Sequence, residues 1–394
     1  MKILLLGVGM QGKAALYDLV HSTAVTEIVA ADVDVQALRA FVAHHGFESR
    51  VRCESVDATD RSSLERLIGE QPRVVIDLLP RMFIPLVAEL AVNHGAHVVN
   101  TMYVPPELRA MDARAKAKGV TILPEFGLDP GIDLVMLGDA ARSFERIDEI
   151  HSYGSGIPEL VAADNPLKYK VSWTFEGVLQ AYRRPASAIQ DGQDVVIDGR
   201  DVFAAEHVHH VDVAGLGTLE AYPNGNAIHY AVDAGLNPRQ LRAAGRYTMR
   251  WPGHCEFWKK LVDLHLLDHE PVTVDGHAVD RVRYLAAALG PHLQYAPGER
   301  DLAIVRVDVI GRKDGRQTRV RYELVDRMDL DTGLSGMSRT VGFTASIGAQ
   351  LLGSGAVTGP GIIAPLNDVP YAALRDGLAQ RGVHLTSEET PLDG

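Results

Sequence analysis

The stretch Lys2–Gly12, KILLLGVGMQG, constrains this chain most. Four apolar residues, Ile3–Leu6, run straight into Gly7, Gly9 and Gly12, spaced G-x-G-x-x-G, and a helix-like segment follows over Lys13–Val20. An apolar run with no polar alternation is the profile of a strand buried on both faces. Each glycine then has its own task. Gly7 permits a sharp turn off the strand, Gly9 lets backbone approach a pyrophosphate, and Gly12 lets the helix pack close to the sheet. Met10 and Gln11 lie at the helix start, where free N–H groups suit phosphates. Strand, glycines and helix in this order predict a dinucleotide-binding site.

The alternation continues. Strands are expected at Glu27–Ala31, Arg50–Cys53, Val74–Leu79, Ala96–Asn100 and Gly119–Leu123. Helices are expected between them at Val35–His45, Asp60–Glu70, Phe83–His94 and Pro105–Lys118. Repeated strand–helix units with short links predict an α/β Rossmann domain, a doubly wound parallel sheet, over residues 1–128. Ligands of such sheets lie beyond the carboxyl ends of the strands. Gly7–Gly12, Asp32, Leu79, Asn100–Tyr103 and Pro124–Asp129 should therefore face one crevice. Asp32 comes 20 residues after Gly12, where a carboxylate meets the adenosine ribose. It accepts ribose hydroxyls and repels a 2′-phosphate, which predicts NAD over NADP. Asp57 lies in a loop from which it reaches the adenine edge or caps the next helix.

Composition narrows the partners. The formal net charge is -12, whereas nucleic acid and anionic membranes both select a basic face. No segment reaches the ~18–20 apolar residues of a membrane span. Two cysteines, Cys53 and Cys255, are too few for a disulfide framework and fit a reducing compartment. The expectation is a cytoplasmic protein that binds small molecules, not nucleic acid or membrane.

Near PEFGLDPGID (124–133) the rhythm changes. Asp129 is expected to N-cap a helix running to about Arg142, with Pro130 in its first position and Asp133 near its positive end. Beyond it, strands are expected at Ile147–Tyr153, His207–Val213, Thr218–Tyr222, Arg246–Trp251, Leu302–Gly311 and Gln317–Val325. Gly154–Pro158 reads as a turn, and Asp198-Gly199 and Asp314-Gly315 as hairpin turns. This predicts a second α+β domain, residues 129–337, with a mostly antiparallel sheet that binds substrate. Its long paired strands predict a homodimer. Helices at Ser338–Leu352 and Tyr371–Gln380 form a segment, 338–394, packing back onto the first domain.

Over nearly its whole length the chain resembles the saccharopine dehydrogenase family. The resemblance rests on GLDPGID (127–133), YGSGIPE (153–159), NPLKYKVSW (165–173), EGVL (176–179), YPNG (222–225), TMRWPG (248–253) and MSRTVGF (337–343). It implies oxidation of a carbon bearing nitrogen, hydride transfer to a nicotinamide and hydrolysis of the imine. The substrate would be an amino acid or its opine conjugate. It places Tyr103 and Asp129 at the reacting centre, where neutral amine and attacking water both need proton shuttles. It places Trp173 and Arg250 on the substrate, Arg250 as a two-pronged carboxylate clamp. The glutamate-forming saccharopine dehydrogenases come first. The L-lysine 6-dehydrogenases, similar at RRPA (183–186) and RWPGH (250–254), come second. A dinucleotide-sensing regulator without turnover is the reading outside enzymes.

Two positions depart from the saccharopine branch. Gly225 stands where the family has an Arg that binds a substrate carboxylate, and such a buried pair is worth ~2–5 kcal/mol. Gly154 stands where the family has a Cys. His207, His209, His210, His254 and Cys255 show no zinc spacing, and hydride chemistry needs no metal, so none is expected. Arg183 and Arg184 read as a solvated helix end.

Overall fold

A computed structural model describes residues 1–392. The chain divides into two units, residues 1–139 with 338–385, and residues 140–337 with the chain from 386 onward.

The first unit is built on β1 (Lys2–Leu6), β2 (Glu27–Asp32), β3 (Val51–Ser55), β4 (Val74–Asp77), β5 (His97–Asn100) and β6 (Thr121–Leu123). With the short strand Gly361–Ile362 they make a seven-stranded sheet among the described residues, in the order 361–362, β6-β5-β4-β1-β2-β3. Every pairing in it is parallel. Ile3, Leu5 and Leu6 are fully buried, as a strand covered by helices on both faces requires. The order reverses between β1 and β4, so the crevice opens between the Gly7 turn and Leu78–Pro80. The long helix Gly336–Ser354 packs beside the helix Met10–His21. A Cβ at Gly342 would lie 2.7 Å from the Ala15 backbone nitrogen, so only glycine allows that approach.

Two helices differ from expectation. Pro105–Lys118 is not one helix but Pro106–Arg109 and Asp112–Lys118. The Asp112 carboxylate accepts the Ile362 N–H at 2.9 Å, which ties the second piece to the added strand. Asp129 does not N-cap the next helix, which starts at Ile132, and the Asp129–Pro130 peptide is cis. The loop closes on itself instead. Gly127 N–H bonds the Pro130 carbonyl, Ile132 N–H bonds the Gly127 carbonyl, and Asp133 Oδ1 accepts Gly131 N–H at 2.8 Å.

The second unit contains β7 (Arg146–Pro158), β8 (Ala186–Gln190), β9 (Gln193–Ile197), β10 (His209–Val213), β11 (Gly217–Pro223) and β12 (Ala243–Arg250). The small hairpin of β13 (Val272–Val274) and β14 (His277–Val279) follows, then β15 (Asp301–Lys313) and β16 (Arg316–Arg327). The main sheet runs β10-β11-β12-β7-β15-β16 and ends on the C-terminal strand Leu385–Pro391, with β8 joined to β12 and β9 to β8. It is mostly antiparallel; β12 runs parallel to β7. No described helix is long and apolar enough to cross a membrane.

Gly154–Pro158 is strand, not turn. Gly154 pairs with Val305 on one side and Thr248 on the other. A Cβ at Gly156 would sit 2.8 Å from Ser172 Oγ, so that glycine serves close approach. The hairpin read at Asp198-Gly199 also moves. The turn is Asp191-Gly192, with φ of 48° and 74°, joining β8 to β9. Both central residues then adopt the left-handed conformation that twists a two-residue hairpin correctly. Asp314-Gly315, at 51° and 75°, does the same for β15 and β16.

Candidate active site

The glycine turn has the steric pattern of a pyrophosphate cradle. Gly7 has φ +85°, and a Cβ there would meet the Leu78 carbonyl at 2.7 Å. A Cβ at Gly12 would run into the Gly7 carbonyl. Gly9 differs: its φ is -69° and a Cβ there meets nothing within 4 Å. No internal contact demands glycine at position 9, and the space over it is open, as the approach of a pyrophosphate would require. Gly9 N-caps the helix Met10–His21 without a side-chain acceptor, leaving Met10, Gln11 and Gly12 at an uncapped N-terminus. The residues present fit a dinucleotide.

Asp32 ends β2 with its carboxylate turned inward. Its Oδ2 accepts Val8 N–H at 2.6 Å and its Oδ1 accepts Asp34 N–H at 2.9 Å. It therefore braces the glycine turn. Asp57 is fully exposed, and Thr59 donates to its Oδ1 from hydroxyl and backbone, holding its carboxyl below the usual range. Asp60, not Asp57, caps the following helix through Ser62 N–H.

The carboxyl ends of β4, β5 and β6 are knitted together. Leu79 N–H donates to Asp77 Oδ1 at 3.1 Å, and Met102 N–H to Asn100 Oδ1 at 3.1 Å. Phe126 N–H bonds the Asn100 carbonyl and Glu125 N–H the Met102 carbonyl. A Cβ at Gly127 would lie 3.1 Å from Thr101 Cβ. These links hold the Tyr103 loop beside the GLDPGID loop that carries Asp129. Tyr103 is 44% exposed and Asp129 half-buried, so both stand at the surface of the crevice edge.

In the second unit Arg250 ends β12 inside an aromatic box. It is 5% exposed, and its guanidinium lies 5.2 Å from the Tyr169 ring centre. Nη1 donates to the Met249 carbonyl, while Nε has no partner among the described residues. Polar groups behind it form a chain. Arg250 lies beside Tyr182, Tyr182 OH meets His254 Nε2 at 2.8 Å, and His254 Nδ1 meets the Leu167 carbonyl at 3.2 Å. A carbonyl only accepts, so Nδ1 carries the proton and Nε2 accepts from Tyr182. Burial holds His254 neutral, its pKa well below the usual value. Glu220, the register partner of Arg250, does not pair with it. Its carboxylate accepts N–H groups of Gly253 and Cys255 at the start of helix His254–Asp263. Among the described residues no carboxylate forms an ion pair with this buried guanidinium.

Trp173 is 38% exposed; its indole lies against Gly177, where a Cβ would be 3.0 Å from Cζ3. Gly225 sits in a turn at φ +82°, a conformation an Arg adopts only with strain. Arg246 fills the neighbourhood: its Cδ would be 4.0 Å from a Cβ at position 225, and its guanidinium lies 4.7 Å from the Tyr230 ring centre. Arg246 and Arg250 alternate onto one face of β12.

Other groups are structural. His209 meets Tyr153 OH at 3.3 Å, and burial lowers its pKa to about 4. No cluster of three metal-ligating side chains exists among the described residues. Arg183 is not solvated: its side chain is 9% exposed and bonds Asp268 at 2.8 Å. Sequence reasoning missed Asp77, Tyr182, Tyr222, Arg246 and His254. Tyr222 and His254 stand inside the motifs YPNG and RWPGH, and Asp77 is the acid of an otherwise apolar strand, whereas Tyr182 and Arg246 carry no such signal.

The family model for the saccharopine dehydrogenase NADP binding domain matches residues 3–123, and that for the saccharopine dehydrogenase C-terminal domain matches residues 127–383. The saccharopine dehydrogenase [NADP(+), L-glutamate-forming] of Schizosaccharomyces pombe is 27% identical over 85% of this chain and 88% of its own. The Saccharomyces cerevisiae protein of that name is 28% identical over 82% and 86%. The apo structure of L-Glu-forming saccharopine dehydrogenase from S. cerevisiae superposes with a TM-score of 0.87 at 24% identity, covering 99% of both chains. These findings overturn the expectation of NAD over NADP, since the relatives and the matching domain are NADP proteins. The position of Asp32 implied a ribose contact, but its carboxylate is committed to the Val8 and Asp34 backbone.

Proposed function

The chain belongs to the saccharopine dehydrogenase family, and from that membership we propose that it is an NADP(H)-dependent oxidoreductase acting on the CH–NH bond of an opine-type secondary amine. Arg250 carries this reading. A buried guanidinium without a carboxylate partner is costly, and it becomes favourable when a substrate carboxylate completes the pair. Trp173 offers an exposed indole face to the same substrate, and Arg246 supplies a second guanidinium in place of the one absent at Gly225.

The bound dinucleotide supplies the hydride acceptor. The chain's own residues bind, orient and move protons. Gly7, Gly9 and Gly12 with the Met10–His21 helix N-terminus hold the phosphates. Leu79 and Asn100 lie on the nicotinamide side of the crevice and Asp57 on the adenine side. Asp129 accepts the proton that the amine must lose before oxidation, and Tyr103 relays protons to water and to the departing amine. In sum, the secondary amine, water and NADP+ become a carbonyl compound, a primary amine, NADPH and a proton. Residues 1–128 serve the dinucleotide and residues 129–337 the substrate, and helices of 338–394 support the first. The paired strands β15 and β16 serve a homodimer, and the free cysteines fit the cytoplasm.

The test is a spectrophotometric screen for NADPH formation from saccharopine, other opines and lysine. Saccharopine or a related opine should be oxidised, with turnover lost in Asp129→Ala. Robust lysine oxidation without any opine oxidation would replace this reading with a lysine 6-dehydrogenase, and tight dinucleotide binding without any turnover would replace it with a sensor.

A further inference from the structure

Two buried side chains at the carboxyl edge of the parallel sheet keep unmet hydrogen-bonding groups. Asp77 ends β4 and Asn100 ends β5, and they are register partners. They are 2% and 1% exposed. Asp77 Oδ1 accepts Leu79 N–H and Asn100 Oδ1 accepts Met102 N–H. Asp77 Oδ2 and Asn100 Nδ2 have no partner among the described residues. One is an acceptor without a donor, the other a donor without an acceptor. Buried groups of that kind are rare and call for an explanation.

The surroundings of Asp77 are almost free of charge. β1 presents Leu6 and the Gly7 turn, β5 presents the neutral Asn100, and the Leu78–Pro80 turn covers the end. Among the described residues no cation pairs with Asp77. The titratable groups of the adjoining loops are Tyr103, Glu125 and the exposed Arg81, and Glu125 accepts the Val104 N–H. Desolvation therefore dominates and pushes the carboxyl up to about 7. Removing it from water also lengthens the reach of any charge placed nearby.

The sheet places this carboxyl on one particular half of the ligand. The order reverses at β1, with β2 and β3 on the adenosine side and β4 and β5 on the nicotinamide side. The nicotinamide ring is a cation when oxidised and neutral when reduced. We propose that Asp77, with Asn100 beside it, lets this chain distinguish the oxidised from the reduced dinucleotide, binding the oxidised form with loss of the Asp77 proton. The ionised carboxylate stabilises the cationic ring and takes up the spare Asn100 N–H. The protonated carboxyl does neither. The inference rests on the dinucleotide reading given under Proposed function.

Calorimetric titration of the whole chain with NADP+ and with NADPH tests it, in two buffers of different ionisation heat near neutral pH. Binding of NADP+ should release more protons than binding of NADPH. From about pH 6 to about pH 8 the affinity ratio should move about five- to tenfold in favour of NADP+, about tenfold being the limit for a carboxyl that ionises near pH 7 in the free chain. The 2′-phosphate titrates in both ligands and cancels in the difference. Asp77→Asn should abolish the difference. Equal proton release by the two forms in the wild-type chain overturns the proposal by itself, even if the variant fails to fold. Retention of the difference in a folded Asp77→Asn overturns it too. Absence of dinucleotide binding overturns both this inference and the proposed function. Binding with the expected proton difference but no amine turnover supports this inference and overturns the function alone.

Discussion

The Arg381 guanidinium grips the Asp18 carboxylate with two hydrogen bonds, Nε to Oδ1 at 2.5 Å and Nη2 to Oδ2 at 2.9 Å. Asp18 lies on the helix that follows the glycine turn and is 8% exposed. Ser346 Oγ donates to the same carboxylate at 2.6 Å and Gln350 Nε2 at 3.1 Å. One carboxylate thus joins the first helix, the long helix Gly336–Ser354 and the chain after helix Tyr371–Ala379. Removing one partner of a buried ion pair is expensive because the other charge stays behind. Arg381→Ala should cost about 3 kcal/mol in urea unfolding, and adding Asp18→Asn should recover part of it. Additive losses in that double-mutant cycle would mean the pair is not coupled.

Gly7 and Gly9 should respond oppositely to alanine. Gly7→Ala forces a left-handed φ and a collision with the Leu78 carbonyl, so thermal stability should drop. Gly9→Ala keeps an ordinary φ and meets no protein atom. Its melting temperature should stay close to wild type while the Kd for NADP(H) rises at least about tenfold, or ~1.4 kcal/mol. Unchanged affinity in Gly9→Ala would remove the pyrophosphate from that position.

Arg250 separates stability from function. Filling its place with a well-packed apolar side chain removes a desolvated charge, which is often neutral or stabilising. Arg250→Met should leave the melting temperature unchanged or raised. Its KM for the amine substrate should rise by about 30-fold or more, as expected for ~2 kcal/mol or more lost with a carboxylate–guanidinium pair, with dinucleotide affinity unaffected. A large loss of stability at unchanged KM would make Arg250 a structural residue.

Asp77 gives stability a pH dependence of known sign. Burial raises its carboxyl from 3.8 to about 7 in the native state. Between those values the native chain holds a proton that the unfolded chain has lost, so stability falls as pH rises through this window. Asp77→Asn is neutral throughout. It should be nearly as stable as wild type near pH 4 and more stable above pH 7, by up to a few kcal/mol. Thermal melts at the two pH values check this; the same offset at both would show that ionisation of Asp77 is not involved.

Local chemistry was enough for much of this molecule. The apolar run Ile3–Leu6, the three glycines and the strand–helix rhythm specify the parallel sheet, because each strand and its turn are decided by neighbours a few residues away. The Asp314-Gly315 hairpin was legible for the same reason. Asp198-Gly199 carries the same local signal, yet the hairpin turn falls at Asp191-Gly192, because Ala186–Gln190 pairs with β12 and β9.

Direction and company were settled only by the folded chain. Asp32 occupies the position that the glycine spacing assigns it, yet its carboxylate turns to Val8 and Asp34. Asp77 falls inside the expected strand Val74–Leu79; the folded chain ends that strand at Asp77 and sets Asn100 of β5 beside it. Arg250 is an ordinary arginine in sequence. Its aromatic box gathers Tyr169, Tyr182, Tyr222 and His254, and its register neighbour Glu220 is drawn off to a helix N-terminus. Sequence determines which groups a backbone period can present. Which of them lose water, and which partners they then meet, depends on segments far apart in the chain, and those desolvation terms decide charge, protonation and binding.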